Sequence, residues 1–374
     1  MYLLSRAFFA LSIVASTLTV SSTDASADRR RSPVAGLQNL APDTRPVAPR
    51  LKPVPELILR TKLEREGRNI PWAVSAYEER SNFVADLRRR NATTNSGLPQ
   101  LSIYYRELHE RLRRTPVATR GISELFKQYE TWRSTSQYDP FLDVFIASRK
   151  EALLYQRLIW SQHETPDAKR HADEVPGLAM ELFKYLKDHH SSASADPGWY
   201  YISIYSYVYR CNEWRDAWSL LKEGTKKFPS YYWLYFRAYD VGLRCGHDPV
   251  QLMDDLVELA VDRTRKEHGD SMYARLKWSQ TAYYGGDLLR SRLVDWERMR
   301  KSMMRVLQDY PDAWNTNHFA YFTCIAGDDT LAEKLLPKAM TAPVNSVWAN
   351  DDILSSCHSR IERAKFNKES KSRN

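Results

Sequence analysis

Shifting the sequence by 34 residues brings Trp199 onto Trp233, Tyr201 onto Tyr235, Tyr205 onto Tyr239, Arg210 onto Arg244 and Cys211 onto Cys245. Five coincidences at one period are the signature of a repeated supersecondary unit, and 34 is the length of the tetratricopeptide helix–turn–helix. In that unit the second helix carries a small residue, then a large apolar one, then a proline at its exit. Here those are Ala217, Leu221 and Pro229. A later unit has the same spacing, with Trp314 before Ala332 and Leu336, and Pro343 near the exit. The middle unit departs from the pattern, with Gln251 where the small residue belongs.

Outside the repeat the pattern is helical almost throughout from residue 56. Apolar residues recur at three and four in LSIYYRELHERL and in PFLDVFIASRKEALLYQRLIW. Asp139-Pro140 and Asp248-Pro249 each place a capping aspartate before a proline at a helix start. Thr165-Pro166-Asp167 and Tyr310-Pro311-Asp312 read as further helix entrances. The expected fold class is all-α, a divergent tetratricopeptide-like α-solenoid of stacked helical hairpins.

The first 27 residues read as a secretory signal peptide: Arg6, an apolar run over residues 7–20, and Ala25-Ser26-Ala27 at the cleavage point. Fourteen apolar residues are too few to span a bilayer, which takes about 20. The expected location is therefore outside the cytoplasm, in the periplasm or the medium. Residues 28–55 hold six of the eighteen prolines and read as a Pro/Arg-rich disordered linker. The remaining expected divisions are an N-terminal helical region over 56–195, the repeats over 196–359 and a basic flexible tail over 360–374.

The net charge of +9 invites a nucleic-acid partner, but its distribution argues against one. Residues 28–55 and 360–374 each carry a net +4, which leaves the body nearly neutral. Basic tails of this kind suit at most a weak contact with an anionic surface.

Residues 262–328, together with YETWRSTSQYDPFLDVFIASRKEALLYQRLIW upstream, resemble an uncharacterised family of bacterial tetratricopeptide-like proteins. The elements that carry the likeness are Asp262-Arg263-Thr264, Gly269-Asp270, Tyr273-Ala274-Arg275, Asp295-Trp296, Tyr310-Pro311-Asp312, Trp314-Asn315, Asn317, Phe319-Ala320, Cys324 and Gly327-Asp328. The resemblance implies the fold and no activity.

Catalytic and cofactor signatures are missing. There is no glycine-rich phosphate loop, nucleophile elbow, H-E-x-x-H or C-x-x-C. No catalytic residue, metal site or cofactor is expected. In Cys245-Gly246-His247-Asp248 the glycine reads as a helix end and the aspartate as the next cap. Arg275, Asp295, Asn315 and Asn317 form the candidate ligand-binding set, because first helices line the concave face of such solenoids and asparagines there can hold a peptide backbone. The competing reading is a buried network joining one hairpin to the next.

The four cysteines, Cys211, Cys245, Cys324 and Cys357, allow three full pairings. If Cys211 and Cys245 sit at equivalent places on stacked helices about 8–10 Å apart, a direct bridge is disfavoured. The repeat echo is the first reading of that pair, a bridge the second, and pairing with Cys324 or Cys357 stays open. The functional expectation is a non-enzymatic module of the cell envelope binding a protein or peptide. The alternative is a helical envelope enzyme or glycan-binding protein acting on cell-wall polymers.

Overall fold

Aspartates start most of the helices, as their placement in the sequence predicts. In this computed structural model Asp248 accepts from the backbone N–H groups of Val250 and Gln251, and Asp312 from that of Asn315. Asp139 accepts from Phe141 N, and Asp196 caps its helix through Gly198 N. Each bond satisfies a donor that a helix N-terminus leaves orphaned. The structure describes residues 61–65, 77–114, 126–127, 129–134, 138–163, 165–348 and 351–373. The signal peptide and linker expected over residues 1–55 lie outside them.

The longer helices are α1 (Tyr77–Arg90), α2 (Gln100–Arg114), α3 (Phe141–Trp160), α4 (Ala168–Asp188), α5 (Pro197–Ser206), α6 (Trp214–Lys227) and α7 (Trp233–Arg244). They continue as α8 (Pro249–His268), α9 (Ser271–Tyr284), α10 (Trp296–Asp309), α11 (Ala313–Ala326), α12 (Asp329–Thr341) and α13 (Asp351–Arg373). Among the described residues there is no strand, only one isolated bridge between Thr93 and Pro99. The fold is all-α. Sequence neighbours pack as pairs: α5 with α6, α7 with α8, α9 with α10, α11 with α12. Second helices also meet in succession, α6 with α8 and α8 with α10, and the first helices α5 and α7 touch. The described residues all belong to one compact unit, Val54–Asn374.

The 34-residue echo holds between α5 and α7. Later spacings lengthen because α8 runs for 20 residues and a 3-10 turn, Gly286–Arg290, stands between α9 and α10.

Cys211 and Cys245 form a disulfide, with Cα atoms 5.1 Å apart, and Cys324 and Cys357 form another, with Cα atoms 5.3 Å apart. The first bridge overturns the preferred reading of that pair as a mere repeat echo. Neither cysteine lies within α5 or α7. Cys211 opens a 3-10 turn after α5 has ended, and Cys245 caps the end of α7. The interaxial distance therefore does not separate them, and the two hairpin loops converge. Residues 360–373, expected as a flexible tail, continue α13. Arg360 anchors that stretch, reaching Asp329 at 3.0 Å and the carbonyl of Cys324 at 2.8 Å.

The core is aromatic. Trp199, Tyr104, Tyr200, Tyr205, Tyr232 and Tyr235 are fully buried. Charge is buried with them. Glu151 on α3 is wholly inaccessible and accepts from Tyr209 Oη at 2.7 Å, from Arg113 Nε at 3.0 Å and from the second Arg113 nitrogen. It also pairs with His109 Nε2 at 2.7 Å. This knot ties α2, α3 and the turn after α5 into one body.

Helix α2 and the loop before it lie across the first helices of the hairpins. His109 meets the rings of Tyr201 and Tyr205 on α5, and Arg106 lies over Trp233 on α7. The Ser96 carbonyl reaches Arg275 on α9 and Asn315 on α11.

Candidate functional site

Arg275 and Asn315 converge on the chain's own backbone. Arg275 Nη2 donates to the Ser96 carbonyl at 3.0 Å, and Asn315 Nδ2 donates to the same oxygen at 3.2 Å. Asn315 Nδ2 also reaches the Tyr310 carbonyl at 3.1 Å. The guanidinium lies between the rings of Tyr232 and Tyr310, 5.3 and 5.4 Å from their centroids. Burial lowers the Arg275 pKa, while the neighbouring Tyr232 and Tyr310 hydroxyls pull it back up. Next to Ser96, Gly97 has φ +83°. A Cβ there would come within 2.7 Å of Arg275 and Tyr310 atoms, so only glycine fits. These two residues do hold a peptide backbone, but it is that of the 93–99 loop.

The other two candidates stand apart. Asn317 is wholly buried and uses its whole amide. Nδ2 donates to the carbonyls of Ala313 and Ala342, and Oδ1 accepts from Val344 N and Trp348 Nε1. It pins the segment after α12 onto α11. Replacing Asn317 with alanine orphans several buried groups, each worth about 1–3 kcal/mol. The expected result is a loss of about 2–4 kcal/mol in urea unfolding, and a loss under 1 kcal/mol would refute this role. Asp295 caps α10, accepting from Arg298 N at 3.0 Å, while its own N–H donates to Tyr273 Oη. It also edges a small groove of about 330 Å³ with Asp254, Lys277 and Arg298.

A larger groove, about 780 Å³, runs between α6 and α8. Its floor is Trp214, Trp218, Leu252 and Leu259. The two tryptophans are half-buried here. The α6 wall carries Arg215 and Lys222, and the α8 wall Asp248, Asp255 and Glu258. Glu258 is drawn away by Arg298 at 2.6 Å. Among the described residues no ion pair joins Arg215 or Lys222 to the opposite wall. The His247 ring lies against Trp214, tilted by 41° with centroids 4.7 Å apart, so the C-G-H-D turn helps close one end. As expected from the sequence, Gly246 ends α7 with φ +77°, and Asp248 caps α8.

The disulfide Cys211–Cys245 stands at this end, joining the residues just ahead of Trp214 and His247. Among the described residues no group of His, Cys, Asp or Glu could hold a metal ion, and no helix is long and apolar enough to cross a membrane.

Sequence reasoning missed this groove. Trp214, Trp218 and Lys222 at intervals of four were a visible stripe, but its pairing with the stripe Gln251, Asp255 and Leu259 requires α6 to lie beside α8. Comparison with family models, with curated proteins and with solved structures returns no match.

Proposed function

We propose that the protein is an exported, tetratricopeptide-like solenoid that acts as a non-enzymatic protein- or peptide-binding module of the bacterial cell envelope. The observation that carries this reading is the open α6–α8 groove, with an aromatic floor and two walls of opposite, mutually unpaired charge. Aromatic anchors flanked by charge are the usual composition of an interaction surface. The pairing of successive helices supports the hairpin-repeat part of the reading. Two disulfides suit an oxidising compartment, and with it export. The resemblance to the uncharacterised tetratricopeptide-like family agrees with this architecture and supplies no activity. The body's near-neutral charge leaves no footprint for nucleic acid, and the basic residues of 28–55 and 360–374 add at most a weak contact with an anionic surface.

The test is crosslinking in cells followed by pull-down of the tagged mature protein from envelope extract. One or two protein partners in stoichiometric yield are expected. Recovery of cell-wall fragments alone would replace this reading with the glycan-binding one, for which the Trp214–Trp218 pair is the natural sugar platform.

A further inference from the structure

The two walls of the groove run side by side in the same direction. Trp214 meets His247 at the start of both. From there the lining advances through Trp218 and Lys222 on α6 as it advances through Asp255 and Leu259 on α8. Each wall thus presents side chains at intervals of four, the spacing at which one helix offers a ridge to another. The stretch from Trp214 to Lys222 is about 12 Å long, two to three helical turns.

Three occupants would use such a groove differently. An extended peptide gains affinity by pairing its backbone with a strand edge. Both walls here are helices, whose N–H and C=O groups are spent internally, so an extended segment would find no backbone partner. A sugar would use the tryptophans but leave Arg215 and Lys222 facing acidic residues they do not reach. A helix satisfies its own backbone, buries an apolar stripe on the floor, and can present opposite charges to the two walls at once.

We infer that the α6–α8 groove takes an amphipathic helix of a protein partner, with its apolar stripe bordered by carboxylates facing Arg215 and Lys222 and by basic residues facing Asp248 and Asp255. The inference rests on the binding-module reading above and names the kind of partner. The Cys211–Cys245 disulfide holds the groove's closed end in place before the partner arrives, which reduces the ordering that binding must pay for.

The probe is a display library of 18-residue amphipathic helices with a fixed leucine stripe and randomised flanks, selected against the full mature protein. The expected winners carry acidic residues on one flank and basic residues on the other. They should bind R215E/K222E about tenfold more weakly, since each exposed pair contributes little but several act together. W218A should lose most of the binding. Both variants alter half-buried or exposed positions, and circular dichroism would confirm that they fold.

No enrichment, single-sign flanks, or equal affinity for wild type and R215E/K222E would overturn the inference. So would chito-oligosaccharides changing the tryptophan fluorescence where no helix is enriched. A partner captured in cells whose crosslinks fall outside α6 and α8 would overturn this inference and leave the binding-module reading standing. Failure to capture any partner would remove both.

Discussion

Replacing Glu151 with alanine is expected to destabilise the protein by about 3–5 kcal/mol, because it leaves a buried guanidinium without its counter-charge. Arg113 is buried and stacked on Tyr155 and Tyr205, with centroids 4.0 and 4.4 Å away, so it cannot swing out to water without dismantling the core. Urea unfolding of E151A measures the loss. A second variant separates charge from packing. R113M/E151L removes both charges for similar volume, and it should cost less than E151A alone. If E151A unfolds within 1 kcal/mol of wild type, the knot is not what joins α2 to α3.

The same knot sets an acid limit. Burial alone would raise the Glu151 pKa, but Arg113 and His109 outweigh it and hold the carboxyl far below its ordinary range. A depressed folded-state pKa contributes stability above the unfolded value that is lost as pH falls below it. For His109, burial lowers the pKa and Arg113 lowers it further, against the upward pull of Glu151. The unfolded chain then binds a proton at His109 that the folded chain refuses, which also destabilises the fold as pH falls. Both groups act in the same direction. Stability should decline first below about pH 6.5, from His109, and more steeply below about pH 4.3, from Glu151. In E151A the steeper phase should shrink.

The second large effect concerns the disulfides. Each closes a loop of about the same length, 34 and 33 residues in sequence separation, and losing either should cost about 3–4 kcal/mol. The consequences should differ in place. The Cys324–Cys357 bridge ties α13 to α11, where Cys357 and Ile361 are buried. In C324S/C357S, hydrogen exchange should accelerate across the start of α13 and leave α5 to α8 protected. In C211S/C245S it should accelerate at residues 207–219 and 245–252, the closed end of the groove. An unchanged melting temperature in reductant, or equal loosening everywhere in both variants, would show that the bridges do not act locally.

Much of the secondary structure was legible from the sequence. Helix starts depend on groups a few residues apart, and Asp139, Asp248 and Asp312 each accept from a backbone N–H two or three residues on. Gly246 marked the end of α7 for the same local reason, since its positive φ excludes most side chains. Nothing local to Arg275 or Asn315 says that the carbonyl they bind is that of Ser96, which lies 179 and 219 residues away.

The all-α class and the positions of the caps follow from local sequence, because they rest on periodicity and short-range hydrogen bonds. The 34-residue coincidence of Cys211 with Cys245 does not tell a bridge from an echo, since matching positions in sequence do not say whether a residue lies on a helix or past its end. That Cys211 meets Cys245, that Glu151 centres a buried knot, and that Trp214 and Trp218 floor a groove emerge in three dimensions alone. Each of these depends on which helices become neighbours, and that is settled by packing summed over the whole core rather than by any stretch of the chain.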